Sequence, residues 1–320
     1  GRIALAGTCK TVNGSNITTG RFDKNLINAE FSASGTHKRY NLKLDSNTLT
    51  LSDMTVLSAN YYDNYEFLGM AEIPNNVNTQ YLAESGYGIC YGDHQPANKH
   101  KNKGLLTATL TAQYNSDGTI SSNYLYSVMY YDNRGRIIQT KSNNHLSEGM
   151  EKEYIAYNFT GQPVKRKHVH QAKGKTTQTE EYAYTYDHAG RLLKTTHKLN
   201  NAAEVVLAEN TYDELGRLKT NKKGGNENLK STFGYNIRSW TTSINSPLFK
   251  QTLKYSDAGS FAQYNGNIGH MSWQLAGEQS RSYGFYYDQL SRITDVHYTE
   301  AGNQPATHNY NEKMAYDKHG

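Results

Sequence analysis

Apolar and polar side chains alternate along short stretches of this sequence. Tyr40, Leu42 and Leu44 share one parity, Tyr182, Tyr184 and Tyr186 another, and Tyr283, Phe285 and Tyr287 a third. Alternate residues of a strand point to one face, so these runs predict strands whose rings form one wall of a core. In the first hundred residues the alternation is interrupted. Leu49 and Leu51 form one piece, Val56 and Leu57 an apolar pair, with Asn, Gly and Asp clusters between. Mostly strands are expected there as well. The stretch GDHQPANKHKNKG at 92–104 has no periodicity and reads as a linker or long loop. It sets an expected boundary: a non-repeating, mostly β region over 1–105, and a repetitive β-ribbon over 106–320.

The repetition rests on one short motif. YYDNRGRI occupies 130–137, TYDHAGRL 185–192, TYDELGRL 211–218, YYDQLSRI 286–293, and a truncated AYDKHG 315–320. Weaker copies carry Asn in place of Asp, at Tyr157 and Asn158, Tyr235 and Asn236, and Tyr264 and Asn265. The Asp or Asn positions are therefore 132, 158, 187, 213, 236, 265, 288 and 317, in steps of 23, 26 or 29 residues. A fixed period of this size marks a repeat architecture, in which each unit buries its apolar face against its neighbours.

Each copy predicts a hairpin corner. Asp132, Asp187, Asp213, Asp288 and Asp317 open a turn in which the carboxylate can accept nearby backbone N–H groups. Gly135, Gly190 and Gly216 fall where a positive φ is cheapest. Tyr131, Tyr186, Tyr212, Tyr287 and Tyr316 end the incoming strand. Arg136, Arg191, Arg217 and Arg292 begin the return strand, free to lie over a neighbouring Tyr ring or to pair with an adjacent repeat's Asp. Ser291 stands at the Gly position of its copy, which puts a positive φ there in doubt. A period near 26 residues has room for two to four strands.

Composition supports strands over helices: 27 Tyr and 27 Gly stand beside 8 Phe, 5 Pro and 2 Trp. Net charge is +5, too little for strong steering of a polyanion, so no nucleic-acid partner is expected. No run of 18 apolar residues occurs, which gives no membrane span in this chain, and the first residues are no recognisable signal peptide. Cys9 and Cys90 match no metal or redox spacing; they read as free thiols, with a single bridge as the alternative.

The chemistry-bearing candidates are few. His168 and His170 share a strand face and could supply two metal ligands, but zinc sites want at least three and no third lies nearby, so no metal is expected. The surrounding VKRKHVHQAKGK holds five Lys or Arg between Lys165 and Lys175 without interleaved aromatics. It reads as a solvated edge strand or loop, where lysines guard against edge-to-edge pairing. GKTT at 174–177 fails as a phosphate loop because Val169 stands where its first glycine belongs. The repeated Asp residues are too uniform for catalysis, which needs unlike groups in distinct roles. No enzyme activity and no cofactor are expected.

The Tyr-Asp-x-x-Gly-Arg-Leu/Ile motif resembles the YD repeat of the Rhs (rearrangement hotspot) family. That family includes bacterial polymorphic toxins, shell-forming components of insecticidal toxin complexes, and the distantly related teneurins. The wording of YDNYEFLG at 62–69, NFTGQPVKRKH at 158–168, YNIRSW at 235–240 and YNGNIGHMSWQ at 264–274 is similar to Rhs-repeat proteins of gut Bacteroidetes. The resemblance covers about residues 120–320. It implies an all-β fold, an elongated, curved or spiralling antiparallel sheet of YD-repeat hairpins that forms part of an Rhs shell. It further implies a scaffold within a larger secreted or cell-surface polypeptide, whose partners are the remainder of that polypeptide and a C-terminal effector beyond residue 320. The competing expectation is a binding module that holds glycans or a partner protein on exposed aromatic strands. The direction of Tyr182, Tyr184 and Tyr186 separates the two.

Overall fold

The computed structural model describes residues 2–8, 11–12, 15–16, 27–44, 47–48, 51–52, 54–91, 102–301 and 310–317. The fold is all-β, with antiparallel ladders throughout and two single-turn 3-10 segments at Glu227–Leu229 and Gly259–Phe261. The chain divides into two compact units, Gly1–Ala183 with Lys198–Ala202, and Tyr184–His197 with Ala203–Gly320. No described helix is long and apolar enough to cross a membrane.

The first unit begins with short strands: β1 (Leu5–Thr8), β2 (Thr11–Val12), β3 (Ser15–Asn16), β4 (Ile27–Phe31), β5 (Tyr40–Leu44), β6 (Asn47–Thr48) and β7 (Leu51–Ser52). Longer strands follow: β8 (Thr55–Asp63), β9 (Asn102–Tyr114), β10 (Ile120–Tyr131), β11 (Ile137–Asn143), β12 (Met150–Tyr157), β13 (Pro163–Gln171) and β14 (Gln178–Tyr186). The ladder runs β1, β8, β9, β10, β11, β12, β13, β14, each strand antiparallel to the next. β9 begins at Asn102 and is hydrogen-bonded to β8 on one side and β10 on the other, which joins the early strands to the first repeats. Most of the expected 92–104 loop, with Leu49 and Cys9, lies outside the described residues; Cys90 is half-buried.

The core of the first unit is aromatic. Tyr61, Tyr65, Phe67, Ile73, Leu110, Val128 and Tyr130 are all almost completely buried. Many come from the irregular segment 64–91, which lies over the sheet as a second layer. Tyr65 stacks on Tyr130 at 4.8 Å between ring centres and donates its hydroxyl to the Met129 carbonyl at 2.7 Å. Tyr130 donates in turn to the Thr79 carbonyl at 2.6 Å. Gln139 closes a two-way clasp on Leu82, its amide donating to the carbonyl at 2.7 Å and its oxygen accepting the N–H at 3.2 Å. Gly88 permits the close approach, since a Cβ there would lie 2.4 Å from Ile138 Cγ2. A segment without regular structure can be buried only if its backbone polar groups find partners, and these side chains supply them.

Lys141 belongs to the same layer. Its side chain is fully buried, and its ammonium donates to the carbonyls of Val77 at 2.9 Å and Gln80 at 2.6 Å. Burial, with the charge of Lys152, pulls its pKa down to about 8.

The basic strand β13 corrects an expectation. It is no edge: β12 pairs with one side and β14 with the other. Its basic side chains face carboxylates instead of solvent alone. Arg166 pairs with Glu153, Lys167 with Glu84 at 2.7 Å, and His168 and His170 both reach Glu151, at 2.9 and 2.6 Å. Opposite charges across adjacent strands allow a basic run to sit inside a sheet. Partial burial opposes ionisation of Glu151, but hydrogen bonds from Asn144, His170 and His168 hold its carboxyl below the ordinary range. No cluster of three or more potential metal ligands is found among the described residues.

The second unit is a succession of hairpins: β15 (Leu192–Leu199), β16 (Val205–Tyr212), β17 (Leu218–Lys223), β18 (Lys230–Tyr235), β19 (Thr241–Asn245), β20 (Phe249–Lys254), β21 (His270–Leu275), β22 (Arg281–Tyr287), β23 (Ile293–Glu300) and β24 (Glu312–Lys313). Each strand pairs antiparallel with the next. Most side chains here are half-buried, and Tyr255, Val296 and Tyr298 are among the few that are buried. Trp273 stacks on Tyr283 at 5.3 Å, and Phe261 packs 4.9 Å from Tyr286. Gly284 makes room for Phe261, whose ring would meet a Cβ there at 2.4 Å.

Candidate functional site

The feature that recurs is the Asp corner, and its geometry is nearly the same in every complete copy. At Asp187 the backbone N–H donates to the Arg191 carbonyl at 3.0 Å, and Gly190 N–H donates back to the Asp187 carbonyl at 3.0 Å. Oδ1 of Asp187 accepts the N–H groups of Ala189 and Arg191, both at 2.9 Å, while Oδ2 accepts Arg191 Nε at 2.7 Å. Asp132, Asp213 and Asp288 repeat this set, with Nε of Arg136, Arg217 and Arg292 each 2.7 Å from the carboxylate. One carboxylate thus satisfies two turn N–H groups and orients one guanidinium. The arginine pairs with its own corner's Asp, not with an adjacent repeat's.

These contacts set the ionisation of the corners. The Arg191 N–H holds the Asp187 carboxyl below its ordinary value despite desolvation, and the Arg292 N–H does the same for Asp288. At Asp132 and Asp213 burial is the largest influence and opposes ionisation, but the backbone and guanidinium donors outweigh it, so both are also depressed.

The fourth corner residue needs a left-handed backbone. Gly135, Gly190 and Gly216 have φ of 72°, 78° and 82°. Ser291 takes φ 62° and Ser239 likewise 62°, so the doubt over Ser291 is resolved: the turn imposes the conformation on serine at a cost of about 1 kcal/mol. The Asn236 copy keeps the backbone half of the arrangement, whereas Asn265 accepts only the Asn267 N–H, at 3.0 Å, among the described residues. Asn236 Oδ1 accepts Arg238 N–H at 2.9 Å and Trp240 N–H at 3.0 Å, as an Asp oxygen would. After the corner comes a bulge. Tyr212 pairs with Leu218 while Thr211 pairs with Thr220, and Tyr287 pairs with Ile293 while Tyr286 pairs with Asp295, so one residue of each return strand is extra.

The tyrosine and arginine join one copy to the next. Tyr212 donates its hydroxyl to the Leu192 carbonyl at 3.0 Å, Tyr235 to that of Leu218 at 2.9 Å, and Tyr316 to that of Ile293 at 2.8 Å. Tyr287 uses Ile268 at 2.8 Å, Tyr157 uses Ile137 at 2.9 Å, and Tyr131 uses Leu106. For Leu192, Leu218, Ile293 and Ile137 the acceptor is the residue that starts the return strand of the preceding hairpin, while Ile268 lies two residues before β21 and Leu106 lies within β9. Arg191 lies over the Tyr212 ring at 4.8 Å, Arg217 over Tyr235 at 4.8 Å, Arg292 over Tyr316 at 4.4 Å, and Arg136 over Tyr157 at 4.5 Å. A guanidinium fixed by its own carboxylate therefore packs on the next copy's ring. Each repeat consists of one corner and two strands, the lower end of the expected range.

Tyr182, Tyr184 and Tyr186 are half-buried, neither a sealed core nor an exposed row. Asp317 is the last described residue of its copy, and the rest of that corner lies outside the described residues. One corner escaped the sequence reading. Asn115 N–H donates to the Thr119 carbonyl at 2.8 Å and Gly118, with φ 80°, donates to the Asn115 carbonyl at 3.0 Å. Its signal was the run Tyr114, Asn115, Gly118, Thr119, which falls out of step with the period.

No family model matches the sequence, and no curated protein does. Thirty chains of solved structures match the fold. One, in the crystal structure of TcdB2-TccC3-Cdc42, is similar at a TM-score of 0.50 with 12% sequence identity. The match covers 86% of this chain and 14% of that one, so this chain spans a small part of the other's length. At such identity the likeness is one of fold alone.

Proposed function

We propose that this chain is a structural scaffold segment of a larger secreted or cell-surface Rhs-repeat protein, helping to enclose or present an effector encoded C-terminal to it. The observation that supports this reading is the sameness of the corners: four aspartates, Asp132, Asp187, Asp213 and Asp288, each bind a local arginine and the turn's own N–H groups. Groups engaged in identical structural tasks are used for building, and the reading gives them no catalytic role. The likeness to a far longer solved chain of the same fold fits a segment of a repetitive whole.

The test is protease protection in the parent polypeptide. The part following residue 320 should resist cleavage while the hairpins are intact, and become sensitive when the repeat from Asp187 to Tyr212 is deleted in frame. Protection that is absent from the intact protein, or unchanged by the deletion, would overturn the enclosing role.

A further inference from the structure

The first unit contains a cleft of about 980 Å³ at the ends of β10–β13 opposite the Asp corners, between the turns 143–149 and 171–177 and the segment 71–78. Its volume is in the range of small-molecule sites, but its walls are not the usual apolar ones. The charges at its rim are matched. Glu148 pairs with Lys173 at 2.5 Å, and Glu72 with Lys38. No surplus of one sign remains on these pairs to recruit an ion.

The uncommitted groups are neutral. The amides of Asn78, Gln113 and Asn123 and the hydroxyls of Ser122 and Ser147 line the cleft, and these side chains make no hydrogen bond among the described residues. Each can both donate and accept. Beneath them the wall is fixed. Tyr124 donates to the Val56 carbonyl at 2.8 Å, and Asn143 bridges Tyr124 and Tyr126 by donating to the Tyr124 carbonyl at 2.8 Å and accepting the Tyr126 N–H at 2.7 Å. An immobile wall that carries spare neutral donors and acceptors suits a ligand rich in hydroxyls and free of charge. A sulfated or phosphorylated ligand would require unpaired cations, and a lipid would require apolar walls.

We infer that this cleft binds a neutral oligosaccharide. The assignment is independent of the scaffold role, since it uses none of the corner residues.

Calorimetric titration of the whole chain with cellohexaose, maltohexaose, laminarihexaose and chitohexaose tests it, with a heparin hexasaccharide and an uncharged hexapeptide alongside. Saturable binding of at least one neutral sugar is expected. Loss of one hydrogen bond to the ligand should weaken it about tenfold in Gln113→Ala and again in Asn123→Ala. Circular dichroism melts identify any variant that fails to fold, and Ser122→Ala with Ser147→Ala then serves as the second pair. The inference is overturned if no neutral sugar saturates by about 10 mM, if folded variants bind as the parent does, or if heparin or the peptide binds in preference.

Discussion

The corner residues divide the work between backbone and charge. Asn at the Asp position keeps the acceptor for two turn N–H groups and gives up the guanidinium, whereas Ala gives up both. Asp132→Ala is therefore expected to cost about 1–2 kcal/mol, in the manner of a lost helix cap, and Asp132→Asn less, both read from urea unfolding. Because the folded carboxyls of Asp132, Asp187, Asp213 and Asp288 lie below their unfolded values, their contribution is complete above the ordinary carboxylate range. It is lost as pH falls through the depressed folded values, so the unfolding midpoint should drop on acidification below about pH 4. Ser239 holds a left-handed φ that glycine adopts freely, so Ser239→Gly should raise stability by about 1 kcal/mol in the same assay. These effects were largely legible in advance, because Asp, Gly and Arg at fixed offsets state a turn chemistry that needs no tertiary information.

At the scale of strands, local chemistry and burial part company. Alternation at Tyr283, Phe285 and Tyr287 announced a strand, and β22 is one. The basic run of β13 looked like an edge because its acidic partners are distant in sequence: Glu151 and Glu153 lie 13 to 19 residues away and meet it through the ladder, and Glu84 lies 83 residues away in the overlying segment. The layer formed by 64–91 was also illegible, since its order depends on Gln139, Tyr130 and Lys141 from strands far along the chain.

Lys141 gives that layer a pH signature. Its folded pKa, about 8, lies below the ordinary 10.5, so the folded state holds fewer protons between those values and this group's contribution to stability rises with pH across them. Below pH 8 the buried charge costs about 3 kcal/mol relative to an unshifted lysine. Lys141→Met should lose this rise. The difference between parent and variant stability curves over pH 8–10 reads it, and parallel curves would show that the ammonium is not buried.

For the molecule as a whole, the central claim is that hairpins are joined copy to copy, by a tyrosine donating to the preceding return strand and an arginine packed on that tyrosine. The repeat period made a stacked array legible, while the linkage itself depended on side-chain directions that spacing alone does not give. The bulge after each corner and the choice of the arginine's own aspartate as its partner had no separate signal in the sequence. The most direct measurement is a double-mutant cycle on Arg217→Met and Tyr235→Leu, read by urea unfolding, with Arg217→Met and Tyr316→Leu as the pair that should not interact. A coupling of about 0.5–1 kcal/mol is predicted for Arg217 with Tyr235, and none for Arg217 with Tyr316. Equal coupling in both cycles, or none in either, would contradict the account.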